Sequence, residues 1–135
     1  LLIYLAFCVP LAFSLRSLRR HYEVVFIVRG SRSLRALVSG RLPPLVPVAV
    51  DRAGISLRSW GPNPRTIANI SHSRIGKADI GAVRWYRDTM VPALQLTVDD
   101  NSINLACARS AWTSVFPSGV KAVAHVVADI RGVLK

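Results

Sequence analysis

Three histidines, two cysteines and seven acidic residues are the groups in this chain with the chemistry to catalyse a reaction or hold a metal. His21, His72 and His125 are scattered, and seven acids leave little from which to build a catalytic pair. Ser71-His72-Ser73 sets hydroxyls beside an imidazole, the pairing of nucleophile and base. Read as a strand, however, adjacent side chains point to opposite faces and do not meet. His125 and Asp129 stand four apart on an expected helix, where a pair gives mild helix support rather than catalysis. Cys8 lies in an apolar run and Cys107 at an apolar strand position, so both are expected to be buried thiols, with neither a disulfide framework nor a metal signature. No catalytic residue, metal ligand or cofactor is therefore assigned, and the chain is read as non-enzymatic.

The chemistry that remains is electrostatic. Fifteen Arg and three Lys oppose the seven acids, for a net charge of +11. The excess is uneven: Arg16, Arg19, Arg20, Arg29, Arg32, Arg35 and Arg41 face a single acid, Glu23, in a stretch directly after an uncharged apolar run. Such clustering fits residues that hold a membrane boundary, and these seven are the candidate contacts to an anionic inner-leaflet surface. Trp60, Trp85 and Trp112 fall on or beside apolar faces, where core packing is the expectation. Without a recognised RNA- or DNA-binding motif, nucleic acid is not an expected partner.

The elements that would position these charges begin with residues 1–15, which carry no charge. A crossing takes about 20 apolar residues, so this run reads as the C-terminal part of a transmembrane helix whose start lies upstream of Leu1, with a buried soluble helix or a signal-peptide remnant as the alternative. Pro10 is tolerated in such a helix. The positive flank places the rest of the chain on the cytoplasmic side of the cell (inner) membrane. Leu5-Ala6-Phe7-Cys8 has a bulky Phe7 where a lipid-attachment signal needs a small residue, which argues against lipidation. Residues 16–44 form a basic juxtamembrane segment. Within it Glu23 to Val28 is a short strand or an apolar stretch too short to cross, and Ser33 to Leu42 either a short amphipathic helix suited to a membrane surface or an ordinary solvated linker. Pro43, Pro44 and Pro47 mark the boundary of a domain over 45–135.

From Leu45 the pattern becomes that of short strands. Val46, Val48 and Val50 alternate, and Asp51-Arg52-Ala53-Gly54 fits a type I turn leading to Ile55 and Leu57. Ile67 to Ser73 is a third strand. Ile80 to Asp88 is a fourth, with Val83 and Trp85 on one face and Arg84 and Tyr86 on the other. Leu94, Leu96 and Val98, then Asp99-Asp100-Asn101, then Ile103, Leu105 and Cys107 predict a hairpin. Ser118 is placed to cap a final helix in which Val120, Val123, Val127, Ile130 and Leu134 form an apolar stripe, with Lys121, His125 and Asp129 on the wet side.

Six strands in meander order followed by one amphipathic helix resemble the pleckstrin-homology-like (PH-like) fold, and more specifically the bacterial PH-like domain of small membrane proteins. The stretches that carry the resemblance are Val48 to Leu57, Asp79 to Arg84 and Leu94 to Leu105. The resemblance implies an α+β, mainly β fold: a bent antiparallel sheet or barrel capped by a C-terminal amphipathic helix. Phosphoinositide-binding PH domains carry a basic-x-Arg pair on the second strand. Ser56-Leu57-Arg58 lacks the first basic member, which leaves Arg52 and Arg58 as the candidate contacts to an anionic ligand. The expected function is a membrane-anchored scaffold that docks protein partners near anionic lipid on the cytoplasmic face. The alternative is an accessory subunit of a larger membrane complex.

Overall fold

Two stretches of this sequence are apolar at every position rather than every second one: Val24 to Val28 and Leu45 to Val50. A strand with one wet face alternates, whereas a strand covered on both faces does not. In the computed structural model, which describes residues 2–38, 41–86, 88–113 and 118–134, with the side chains of Phe7, Trp85, Tyr86 and Thr113 outside the description, both become buried strands. The element order is α1 (Leu2–Arg19), β1 (Val24–Arg29), α2 (Arg32–Val38), β2 (Leu45–Asp51), β3 (Gly54–Arg58), β4 (Thr66–Ser71), β5 (Ile75–Tyr86), β6 (Thr89–Val98), β7 (Asn101–Leu105), β8 (Cys107–Ala108) and α3 (Val120–Val133). The chain is thus mixed α and β, mainly strands, with an apolar helix at one end and an amphipathic one at the other.

The strands make two antiparallel sheets, a five-stranded one in the order β4-β3-β2-β1-β8 and a three-stranded one in the order β5-β6-β7. β1 is interior to the first sheet, pairing with β2 from Val24↔Val50 to Arg29↔Leu45 and with β8 at Ile27↔Ala108 and Val28↔Cys107. The sheet therefore starts at Val24, not at Leu45, and the stretch read as a juxtamembrane segment contributes a central strand. Of the two readings of Glu23 to Val28 the strand is correct, over Val24–Arg29, because β-branched and aromatic side chains can pack on both of its faces.

Side chains of the first sheet point alternately into two clusters. Val24, Phe26, Val28, Val46, Val48, Val50, Ile55 and Leu57 meet Leu94, Leu96 and Val98 from the second sheet, and α3 closes this core with Val123, Val126, Val127 and Ile130. Val25, Ile27, Leu45 and Ala49 point the other way, onto Leu11, Leu15 and Leu18 of α1. The two helices thus lie on opposite faces of one sheet.

Local turns follow the sequence closely. The Asp51 carboxylate accepts from Ala53 N at 2.9 Å and Gly54 N at 3.2 Å. Gly54 takes φ +141°, and a Cβ there would stand 2.1 Å from the Ile70 carbonyl oxygen, so only glycine fits. Asp99 and Asp100 both take positive φ, 51° and 67°, in the tight turn between β6 and β7, which pair from Val98↔Asn101 to Leu94↔Leu105.

Other expectations are corrected. α2 does not lie free on a surface: Leu34 is buried in the main core, with Leu37 and Val38 packed against it. The fourth strand starts at Ile75, five residues earlier than its alternation indicates, and the expected facing of Trp85 and Tyr86 lies outside the described residues. Ser118 does not cap α3. Gly119 holds the cap position, and the Ser118 hydroxyl instead donates to the Cys107 carbonyl at 2.6 Å, tying the helix start to β8. Val120 is exposed and Val126 takes its place among the buried residues of α3.

Candidate membrane-facing site

α1 is long and apolar enough to cross a membrane by length and composition. At about 1.5 Å per residue its 18 residues extend about 27 Å, close to the thickness of a hydrocarbon core. One face of it is nevertheless occupied. Cys8, Leu11, Ser14, Leu15 and Leu18 are buried, at intervals of three and four that line up along one side.

Polar contacts fasten the same side. The Ser14 hydroxyl lies 3.1 Å from the Pro10 carbonyl oxygen, 3.3 Å from that of Ser59 and 3.0 Å from that of Gly61. The Gly61 amide in turn donates to the Pro10 carbonyl at 3.4 Å, so the loop after β3 clasps the helix at its proline turn. The Tyr4 hydroxyl donates to the Trp112 carbonyl, and the Arg19 guanidinium donates to the Arg109 carbonyl at 2.6 Å. Trp60, half-buried beside the α1 leucines, donates its indole N–H to the Leu45 carbonyl at 2.6 Å.

The opposite face of α1 is apolar as well, and exposed. Leu2 is 82%, Phe13 50% and Leu5 and Val9 each 38% accessible, and Ile3 beside them is exposed too. Leu2, Leu5, Val9 and Phe13 recur at steps of three, four and four. Arg16 and Arg20 continue the same line after the last apolar residue, both exposed. Trp112 is 46% accessible, with its ring 6.4 Å from that of Tyr4, so it is half-exposed beside the first turns of α1 instead of in the core as its neighbourhood predicts.

The seven arginines are not gathered into one patch. Arg16, Arg19 and Arg20 share the C-terminal end of α1. Arg29 leaves the far end of β1, where its backbone N–H bonds to Ala106 and its side chain lines an open cleft of about 190 Å³ with Arg84 and Asn104. Arg32 and Arg35 are exposed on α2, and Arg41 is exposed before β2. Of the candidate anion contacts, Arg52 is exposed in the turn between β2 and β3. Arg58 is engaged internally: it donates to the Tyr22 hydroxyl at 2.7 Å and lies 5.4 Å from the Tyr22 ring centroid, joining β3 to the short link between α1 and β1. No pair of cations converges there.

The remaining polar groups act locally. His72 to Arg74 is a single 3-10 turn, not strand, and the Ser71 and Ser73 hydroxyls meet each other at 3.1 Å. His125 and Asp129 do approach, at 3.7 Å on the exposed side of α3. Arg74 grips Asp99 at 3.0 and 3.2 Å, and its side-chain hydrogen bonds hold that carboxyl below the usual range. Asp79 is lowered as well, first by the Ile80 N–H and then by Lys77 and Arg131. Arg131 also donates to the Ala78 carbonyl at 2.8 Å, pinning α3 to the β5 edge. Both cysteines are free and buried, and burial raises the Cys107 thiol to about 11. Among the described residues no group of three His, Cys, Asp or Glu could hold a metal ion.

The side of α1 that docks on the sheet is the feature that sequence reasoning missed. Its signal was present in the uninterrupted apolar runs of β1 and β2, which require a cover on the outer face of the sheet. Comparison with protein-family models, with curated proteins and with solved structures found no match to this chain.

Proposed function

We propose that this chain is a membrane-anchored PH-like binding module, held by α1 and the arginines at its C-terminal end against anionic lipid of the cytoplasmic leaflet, where it docks protein partners. The observation that carries the reading is the exposed line Leu2, Leu5, Val9 and Phe13 running into Arg16 and Arg20. A helix whose inner face is already satisfied by the sheet gains nothing in water from a second apolar face. At an anionic surface that face enters the acyl boundary while each guanidinium contributes on the order of 1 kcal/mol. The PH-like part is supported by the strand order, in which four strands in meander are followed by a three-stranded meander and a C-terminal helix that packs between the sheets.

Vesicle flotation tests the reading. The full chain is expected to float with vesicles containing about a third phosphatidylglycerol, and to do so less in high salt or with Arg16→Gln and Arg20→Gln together, because exposed charges are screened within about 10 Å at ordinary ionic strength. A chain that stays at the bottom of the gradient with every vesicle composition has no membrane role. The alternative, an accessory subunit of a membrane complex, uses the same stripe against neighbouring helices, and native mass measurement after detergent extraction separates the two.

A further inference from the structure

The way α1 is fastened bears on how the molecule meets lipid. Resting on the membrane reading above, we infer that α1 is an in-plane anchor: it lies along the headgroup boundary of an anionic leaflet with the sheet above it, and does not cross the bilayer.

Crossing and docking make incompatible demands on the same side chains. The contacts that hold α1 run from Tyr4 through Ser14 to Arg19, about 22 Å of helix, which is nearly all of it. A crossing helix in this position would carry the sheet into hydrocarbon with it. Polar groups of the sheet and its turns such as Asp51, Arg52 and Arg58 would have no water there. Releasing the helix instead would strip the cover from Val25, Ile27, Leu45 and Ala49 and leave the carbonyls of Ser59 and Gly61 without their hydroxyl partner.

Lying flat satisfies both faces at once. Leu2, Leu5, Val9 and Phe13 form a line opposite the sheet, as an amphipathic interfacial helix requires on its lipid side. The C-terminal end of that line carries the groups that favour a membrane–water boundary. Arg16 and Arg20 stand there, both exposed, one helical turn and two beyond Phe13. The cations continue the apolar stripe itself, which is the complement of an anionic headgroup layer above acyl chains.

Depth measurement on the intact chain tests this. With Cys8→Ala and Cys107→Ala as background, spin labels are attached at Leu5→Cys, Val9→Cys and Phe13→Cys, and their depth in phosphatidylcholine–phosphatidylglycerol vesicles is read from collision with oxygen and with an aqueous nickel chelate. The in-plane anchor predicts the same shallow depth at all three. A crossing helix predicts a progression of about 1.5 Å per residue, or about 12 Å between the first and the last, and that result overturns the inference. Labels that never leave water in any vesicle sink the membrane reading itself, a different outcome. Labels shielded by a second copy, with a dimer in native mass spectra, also overturn it. Phe13→Asp, at an exposed position, is expected to keep the thermal midpoint while weakening vesicle binding by about tenfold or more. Unchanged binding would count against the stripe as the lipid face.

Discussion

At the scale of single residues, two positions are committed by geometry. Gly54 has a backbone conformation that side chains rarely adopt and no room for a Cβ against the Ile70 carbonyl. Gly54→Ala is expected to cost about 2 to 4 kcal/mol, read as a fall in the urea midpoint with unchanged slope. Cys107 is committed by burial. Because its folded thiol titrates near 11 and an unfolded one near 8.5, the folded state holds the proton longer. That contribution to stability is fully present below about pH 8.5 and is lost as pH rises towards 11. The urea midpoint should therefore decline across this window in the parent chain and decline less in Cys107→Ala. Both positions were legible in the sequence, Gly54 from the Asp-Arg-Ala-Gly turn and Cys107 from its apolar alternation. Ser14 was not. A serine in an apolar helix signals nothing until the loop carbonyls of Ser59 and Gly61, 45 and 47 residues away, come to meet it.

At the scale of elements, the strands from β2 to β7 and the final helix could be read from period and turn residues alone, because each is a local pattern. What failed was the boundary. Pro43, Pro44 and Pro47 signalled a domain start, yet Pro47 sits inside β2 opposite Ile27. The connection between β1 and β2 contains a whole helix, so two neighbouring strands are separated by a basic, proline-marked stretch that looks like a linker. A chain beginning at Leu45 lacks β1, which leaves β8 unpaired, opens one edge of β2 and removes Val24, Phe26 and Val28 from the main core. It is expected to show no cooperative thermal transition. A chain beginning at Tyr22 keeps the sheet and loses only the cover of Leu11, Leu15 and Leu18, each worth roughly 1.5 to 3 kcal/mol when fully buried. It should unfold cooperatively at a lower midpoint and self-associate on size exclusion. Equal behaviour of the two truncations would contradict the central place of β1.

At the scale of the whole molecule, the first sheet has a different helix on each side, α3 inside against the second sheet and α1 outside. The sequence announced both helices, but an apolar helix reads alike whether its partner is lipid, a sheet or both. Only the burial of alternate faces separates these cases. Arginine density misled for a related reason. Residues close in sequence are carried apart by a six-residue strand, about 20 Å long, so Arg29 and the α2 arginines leave the end of the helix where Arg16, Arg19 and Arg20 stay.

That two-sided arrangement gives the protein a top and a bottom. α3 lies on the side of the sheet turned away from the α1 stripe, so a fluorescent reporter attached at its exposed Lys121 would sit on the upper side and keep the underside unobstructed. The same reporter attached at Leu2 would sit beneath the molecule as a wedge.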